Sequence, residues 1–381
     1  MITRIRCDRI ITPRGLFDGY VYADGGKIAD ITTEKRAADL ELDYTGRYLS
    51  PGFIEMHTHG AGGHPFLTDD AKTVAAACEH HLMHGTTTIL PTTLTAPIEV
   101  IEKAVKAIKT ARDEGLTRAN ILGAHLEGPY LSKNQCGAQN TELITPPIEK
   151  DYKALVEKYG DAISRWTYAP ENDHEGKFAA YLTEHGILPS AGHTDAKYED
   201  MAIALDNGCK LVTHLYSATS TVTRKLGFRS LGVIESAFLR DDMYVEIIAD
   251  GKHLPRELVQ MIIKIKGTDK VALVTDSLEI AGTDITEGSM AGVDFIVEDG
   301  VCKLRDRSAF AGSIATADRL IRFISKDCGF DICEAVKMMT AVPAQLLGIN
   351  KGKIDTGYDA DLVVFDDDVN IEAIFVNGNM I

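Results

Sequence analysis

Ile187-Leu188-Pro189-Ser190-Ala191-Gly192-His193-Thr194-Asp195 is a short apolar run that closes on polar residues. An amphipathic stretch follows it to Asn207, then Gly208, then a second run of the same kind, Leu211-Val212-Thr213-His214. Runs this short suit strands buried on both faces, and the longer stretch between them has helical periodicity. The reading is strand 187–191, helix 195–207 with Asp195 as N-cap and Gly208 as the C-terminal stop, then strand 211–214. Two strands joined by a helix in so few residues are parallel neighbours.

The unit recurs on both sides. Strands are expected at 52–56, 87–91, 121–126, 165–169, 187–191, 211–214, 245–249 and 271–275, with helical text between most of them. Eight successive βα units argue for a closed (β/α)8 barrel of the TIM type over the alternative of a large doubly wound open sheet. The third unit breaks the rhythm: residues 128–148 read as a long loop with three prolines, a length that in compact domains often serves function.

The two chain ends read differently. Gly19-Tyr20-Val21-Tyr22-Ala23, Asp24-Gly25-Gly26 and Lys27-Ile28-Ala29-Asp30-Ile31 make a hairpin. Asp361-Leu362-Val363-Val364-Phe365, Ile371-Glu372-Ala373-Ile374-Phe375-Val376 and the turn Asn377-Gly378 make another. The expected organisation is a small β-sandwich domain built from residues 1–50 and 351–381, around a barrel at 51–350.

Composition narrows the function. A hydrophobic fraction of 45% with 25% charged residues is that of a globular protein with ample core. A formal net charge of -16 repels a phosphate backbone, which argues against a nucleic-acid partner. It does not exclude a small anion, because a bound divalent cation can dominate the field of a cleft. The 7 cysteines are odd in number and lack CxxC spacing, which fits a reducing cytoplasm. Met1-Ile2-Thr3-Arg4-Ile5-Arg6 mixes charge with apolar residues, and no later run reaches spanning length, so neither a signal peptide nor a membrane partner is expected.

The chemistry sits at the strand ends. His57-Thr58-His59 closes the first strand, and residues two apart on a strand share a face, so both imidazoles can reach one ion. The third strand closes on His125-Leu126-Glu127-Gly128-Pro129, the fifth on Gly192-His193-Thr194-Asp195, the sixth on Thr213-His214-Leu215 and the eighth on Thr275-Asp276-Ser277. Polar ends of barrel strands collect on the C-terminal face, where His, Glu and Asp together make a metal site. A capping or core role explains one such residue but not all of them. A divalent ion acidifies a water and polarises an amide oxygen. Asp276 is the expected general base and then general acid, since an amide nitrogen leaves poorly unless protonated.

These motifs, with Asp250-Gly251-Lys252-His253, Ala311-Gly312-Ser313, Pro343-Ala344-Gln345-Leu346-Leu347-Gly348 and Gly357-Tyr358-Asp359-Ala360-Asp361-Leu362-Val363-Val364, resemble in order and spacing those of the N-acetylglucosamine-6-phosphate deacetylases of the amidohydrolase superfamily. The resemblance covers nearly the whole chain. It implies that Glu127, His193 and His214 hold the principal metal and that His57 and His59 hold a second, with Glu127 between them. It implies one or two divalent ions per chain, with zinc, iron, manganese and cobalt equally suited to such ligands. His125 is expected to support the ligands rather than join them.

On the substrate side the resemblance implies contacts from His253, Ala138, Gln139, Ser217, Ala218, Ala311, Gly312 and Ser313. It also implies a phosphate anchor at Arg224 or Lys225, contributed across a homodimer interface. The chain departs from the family's usual pattern at Gln139, where a histidine is common, and at Ser217, where an asparagine is common. The implied activity is hydrolysis of the N-acetyl amide of N-acetylglucosamine 6-phosphate. The departures motivate an alternative acetylamino sugar, either N-acetylgalactosamine 6-phosphate or an unphosphorylated acetylhexosamine. Dihydroorotase-like chemistry lacks a candidate for its modified lysine, and a non-catalytic binding barrel is disfavoured by the intact Asp276. His80, His81, His84, His174 and His185 are expected in surface or packing roles, and Glu171 as a cap of the following helix.

Overall fold

Strands of the central region are buried on both faces, one against helices and the other inside a barrel, which is why their sequences are nearly continuous in apolar and β-branched residues. The computed structural model describes residues 1–290 and 292–381. Its barrel strands are β1 (Phe53–Thr58), β2 (Thr86–Thr93), β3 (Ala124–Glu127), β4 (Ile163–Tyr168), β5 (Leu188–Ala191), β6 (Leu211–Val212), β7 (Tyr244–Ile248) and β8 (Val271–Val274). Every residue of β1, β2, β7 and β8 is buried.

The strands pair in parallel in the order β1, β2, β3, β4, β5, β6, β7, β8. The ring closes just past β8, where Asp276 N donates to His57 O at 2.9 Å and His59 N donates to Ser277 O at 2.8 Å. That closure excludes the open sheet. The stretch expected as one strand at 121–126 is divided into Asn120–Ile121 and β3, both paired with β2. Gly123 lies in the gap, where a Cβ would sit 2.5 Å from Ser164 Oγ, so close approach of the neighbouring chain requires glycine.

The helices that alternate with these strands are α1 (Ala71–Met83), α2 (Ile98–Asp113), α3 (Glu149–Tyr159), α4 (Lys177–Glu184), α5 (Tyr198–Asp206), α6 (Val233–Leu239), α7 (Arg256–Lys266) and α8 (Ala317–Arg322), each following the strand of its number, and two more, Ile332–Met339 and Ala341–Leu347, come after α8. The start of α5 corrects the sequence reading. The N-cap is Lys197, whose N–H donates to Asp200 Oδ2 at 2.8 Å, and Asp195 lies outside the helix. Glu171 is likewise no helix cap: Asp173 accepts from Phe178 N and Ala179 N at the start of α4, both at 3.1 Å.

Between β8 and α8 the chain inserts a four-stranded antiparallel sheet, Glu287–Met290, Val293–Glu298, Val301–Leu304 and Phe310–Gly312, which the sequence reading did not anticipate. Phe295 and Cys302 of this insert pack with Leu94, Leu278 and Ile280, seating it against the barrel mouth.

Both chain ends join one eight-stranded sheet, in which Tyr48–Pro51 pairs antiparallel with Leu362–Phe365 and Thr3–Thr12 pairs with Gly15–Asp24. Ile5, Val21, Leu49, Leu362 and Phe375 form its core. Buried Asp361 fastens the sheet to the barrel, accepting from Lys351 Nζ at 2.6 Å and from Asn120 Nδ2 at 3.0 Å.

Candidate metal centre and active site

The strand-end residues converge on Glu127. Its Oε1 lies 3.0 Å from His214 Nε2, 3.2 Å from His193 Nε2 and 3.3 Å from His57 Nε2, and its Oε2 lies 3.3 Å from His59 Nε2. Asp276 Oδ1 is 3.2 Å from His59 Nε2 and 3.5 Å from His57 Nε2. Two groups are tight enough to share an ion, His57 with His59 and Asp276, and His57 with Glu127 and His214.

The hydrogen bonds on the far side of three of the rings show that these nitrogens suit a cation. His193 Nδ1 bonds the carbonyl of Gln135 at 2.9 Å, and His214 Nδ1 that of Ser217 at 3.1 Å. His57 Nδ1 bonds the carboxylate of Glu246 at 2.9 Å. Carbonyl and carboxylate only accept, so each Nδ1 carries the proton and each neutral Nε2 turns a lone pair towards Glu127. His57 Nε2 is buried with no hydrogen-bond partner. Lone pairs converging on a carboxylate repel unless a cation or added protons lie between them. A divalent ion fits that donor set.

The electrostatics agree. Burial disfavours a charged His57, yet the carboxylates of Glu127, Asp276 and Glu246 outweigh it and raise the imidazole to about 10. His59 is raised to about 9 against its own burial by Asp276 and Glu127. Burial would raise Asp276, but His57 and His59 hold it down at about 2. The cluster therefore demands positive charge, which a divalent ion supplies in place of protons.

Backbone strain marks the same positions. His193 has φ 47°, His214 27°, Tyr216 77°, Ala218 48° and Asp276 46°, left-handed values that non-glycine residues seldom adopt. Such residues cluster at functional sites, held by the surrounding structure. Here the turn out of each strand aims its side chain across the mouth.

The centre forms the floor of a cavity of about 180 Å³. Its walls include Ala138, Gln139, Ser217, Ala218, His253, Ala311 and Gly312. His253 Nδ1 donates to Asp250 Oδ2 at 2.9 Å, and its ring lies 4.9 Å from that of Phe310 on the inserted sheet.

The amidohydrolase family model matches residues 48–381. N-acetylglucosamine-6-phosphate deacetylase of Lysinibacillus sphaericus is 32% identical over 349 residues, covering 91% of this chain and 89% of that one. The chain belongs to the N-acetylglucosamine-6-phosphate deacetylase family of amidohydrolases. Among solved structures of the family, the enzyme from Pasteurella multocida superposes with TM-score 0.93 at 29% identity, covering 100% of both chains. A variant of the Mycobacterium smegmatis enzyme in complex with N-acetyl-D-glucosamine-6-phosphate superposes with TM-score 0.92 at 26% identity, covering 100% of this chain and 99% of its own.

Not every residue expected at the site reaches the cavity. Ser313 Oγ donates to Thr275 O at 2.5 Å and accepts from Ala315 N at 3.1 Å, so its hydroxyl braces the end of β8. Arg224 and Lys225 lie on a hairpin, Thr223–Lys225 with Phe228–Ser230, where both cations are exposed and absent from the cavity walls. His125 has both ring nitrogens engaged, with Thr92 Oγ1 at 3.2 Å and Thr167 Oγ1 at 2.7 Å. Of the helical histidines, His81 is buried and its Nε2 bonds Thr58 Oγ1 at 2.9 Å, bracing the residue between His57 and His59.

Sequence reasoning overlooked the charges inside the barrel. Glu246 orients His57 and is itself held by buried Arg165 Nη1 at 2.5 Å, while Arg165 also donates to Ser190 and Thr213. Glu55 accepts from His57 N at 3.0 Å and Thr275 N at 3.1 Å, and burial raises its carboxyl to about 8. The available signal was a lone charge in each apolar run: Glu55 in β1, Arg165 in β4, Glu246 in β7. Fully buried charges require partners, so each implied one. Glu171 carries a similar message, accepting from Asp195 N at 2.6 Å and from the Thr194 hydroxyl.

Proposed function

We propose that this protein hydrolyses the N-acetyl amide of N-acetylglucosamine 6-phosphate, releasing acetate and glucosamine 6-phosphate. The observation that carries the reading is the convergence of Glu127, His59, His193, His214 and Asp276 on the floor of one cavity, with His57 buried against Glu127, in a chain whose relatives bear that activity in their names. Glu127, His193 and His214 would hold one divalent ion, and His57 and His59 would hold a second, with Glu127 between. Zinc, iron, manganese and cobalt all suit the donor set. Such an ion supplies an acidified water and a Lewis acid for the amide oxygen.

The chain's own groups do the rest. Asp276, held as a carboxylate beside His57 and His59, accepts a proton from the attacking water and returns one to the amine nitrogen as the C–N bond breaks. His253, fixed by Asp250, stands in the wall of the cavity, where its ring would hydrogen-bond the substrate near the reacting centre. Ala138, Ser217, Ala218, Ala311 and Gly312 would shape the sugar pocket, Gln139 retains one N–H for the substrate, and Ser313 acts through Thr275.

The phosphate anchor is proposed at Arg224 or Lys225, reaching the site of a second copy in a homodimer. The hairpin supports this, since Leu226 and Phe228 are 92% and 80% exposed beside those cations. A second reading, an unphosphorylated acetylhexosamine, draws on the position of both cations outside the cavity of their own chain. We further propose a cytoplasmic location, supported by seven free cysteines, five of them buried. Among the described residues no helix is long and apolar enough to cross a membrane. The terminal sheet is proposed to be a β-sandwich domain of residues 1–50 and 351–381 on a barrel of 51–350.

Acetate release from a panel of phosphorylated and unphosphorylated acetylhexosamines, with metal content measured on the same protein, tests the reading. Turnover of N-acetylglucosamine 6-phosphate that chelation abolishes is expected. Full turnover in chelator, or no acetate from any member of the panel, overturns it.

A further inference from the structure

The third loop does more than wall the cavity. Gln139 is 8% exposed, its Oε1 accepts the backbone N–H of Thr95 at 2.9 Å, and its Nε2 donates to Glu127 Oε2 at 2.6 Å. A backbone N–H only donates and a carboxylate only accepts, so the amide has one orientation that satisfies both ends. The last torsion of a glutamate is broad, so its carboxylate plane is set by what bonds it. Among the described residues, Gln139 is the only side chain other than an imidazole that hydrogen-bonds the Glu127 carboxylate. With Oε2 engaged by Gln139, Oε1 is the atom turned to His57, His193 and His214. The same loop grips a second member of the cluster, because the Gln135 carbonyl bonds His193 Nδ1 while Gln135 Nε2 donates to Asp195 at 2.7 Å.

We propose that Gln139 is a positioning residue for Glu127. It fixes the carboxylate plane so that Oε1 faces His57, His193 and His214 as the ligand of a divalent ion, and it thereby fastens the segment 135–139 to the metal centre. The proposal rests on Glu127 being a metal ligand. Partners of ligating groups typically tune metal affinity by about ten- to a hundredfold. Loss of the Gln139 bond should therefore loosen the ion, which a residue that only touches sugar would not do.

The test compares wild type with Gln139→Met, of similar length but without hydrogen bonds. Affinity for zinc and for manganese alone, without substrate, is measured by competition with a chelator, alongside circular dichroism at saturating metal. kcat and KM are then measured with metal in excess. The expected result is a loss of about ten- to a hundredfold in metal affinity for the Met variant, with kcat rising as metal is brought to excess. Unchanged metal affinity in the Met variant, with a raised KM, overturns the proposal and leaves Gln139 as a substrate contact. Gln139→Asn, whose shorter amide cannot span Thr95 and Glu127, makes the same comparison if the Met variant does not fold, and unchanged affinity there also overturns it. Wild-type protein that binds neither ion would overturn the metal reading instead, a result distinct from the first.

Discussion

The barrel mouth and the hairpin at 223–230 hold opposite charges in opposite ways. At the mouth, Glu127 is 2% exposed and His57 0%, and rings and carboxylates are oriented by Glu246, Gln135, Ser217 and Gln139. On the hairpin, Arg224 and Lys225 stand in solvent with no ion pair among the described residues. Buried charges are costly unless every partner is in place, so one chain's fold must complete them. Exposed cations meet no such demand and are free to be completed by another molecule. The chemistry is thus built within one chain, whereas the proposed phosphate recognition depends on assembly.

Breaking the mouth should have the largest effect. Glu127→Gln is expected to strip most of the metal and reduce acetate release to background, and to cost more metal than His57→Asn, because Glu127 touches every imidazole of the cluster. Elemental analysis of both variants checks the ranking. Asp276→Asn should keep the fold and most of the metal while lowering kcat at least about 10²-fold. Near-normal turnover would move the proton transfer to another acid.

Breaking the hairpin should be selective and smaller. Arg224→Ala with Lys225→Ala removes a charge-assisted contact worth roughly 1.5–3 kcal/mol, and so about ten- to a hundredfold in kcat/KM, on phosphorylated sugar only. Equal loss on unphosphorylated sugar would point to a folding defect. Mixing that chain with an Asp276→Asn chain should restore some activity if the anchor crosses between subunits, because one hybrid site then has both parts. Smallest in stability is Phe228→Ser, expected within about 0.5 kcal/mol of wild type by denaturant titration, as for an exposed residue. If the proposed homodimer forms through this hairpin, the effect should appear as a shift towards monomer in sedimentation, and a dimer left unchanged by the substitution would place the interface elsewhere.

How much of this was legible beforehand follows from what each feature needs. Each of the eight barrel strands lies at or within a few residues of its expected position, because continuous apolar runs and their polar ends are local properties. The candidate ligands were legible for the same reason, since each closes a run. The start of α5 was misplaced because Asp195 has the right residue type for a cap but is claimed by Gln135 and by Glu171, from other units. The inserted sheet was missed because its strands are only three to six residues long and its pairing is carried by turns.

By itself, the sequence determined the alternation of strands and helices, and it placed histidines and acids where strands stop. Only the tertiary structure decided which atoms of those residues meet. Glu246 and Arg165 lie 81 positions apart, and Gln139 reaches Glu127 from a loop without periodicity. The orientation of a ring or a carboxylate is set by contacts between distant segments, and those exist only once the barrel has closed.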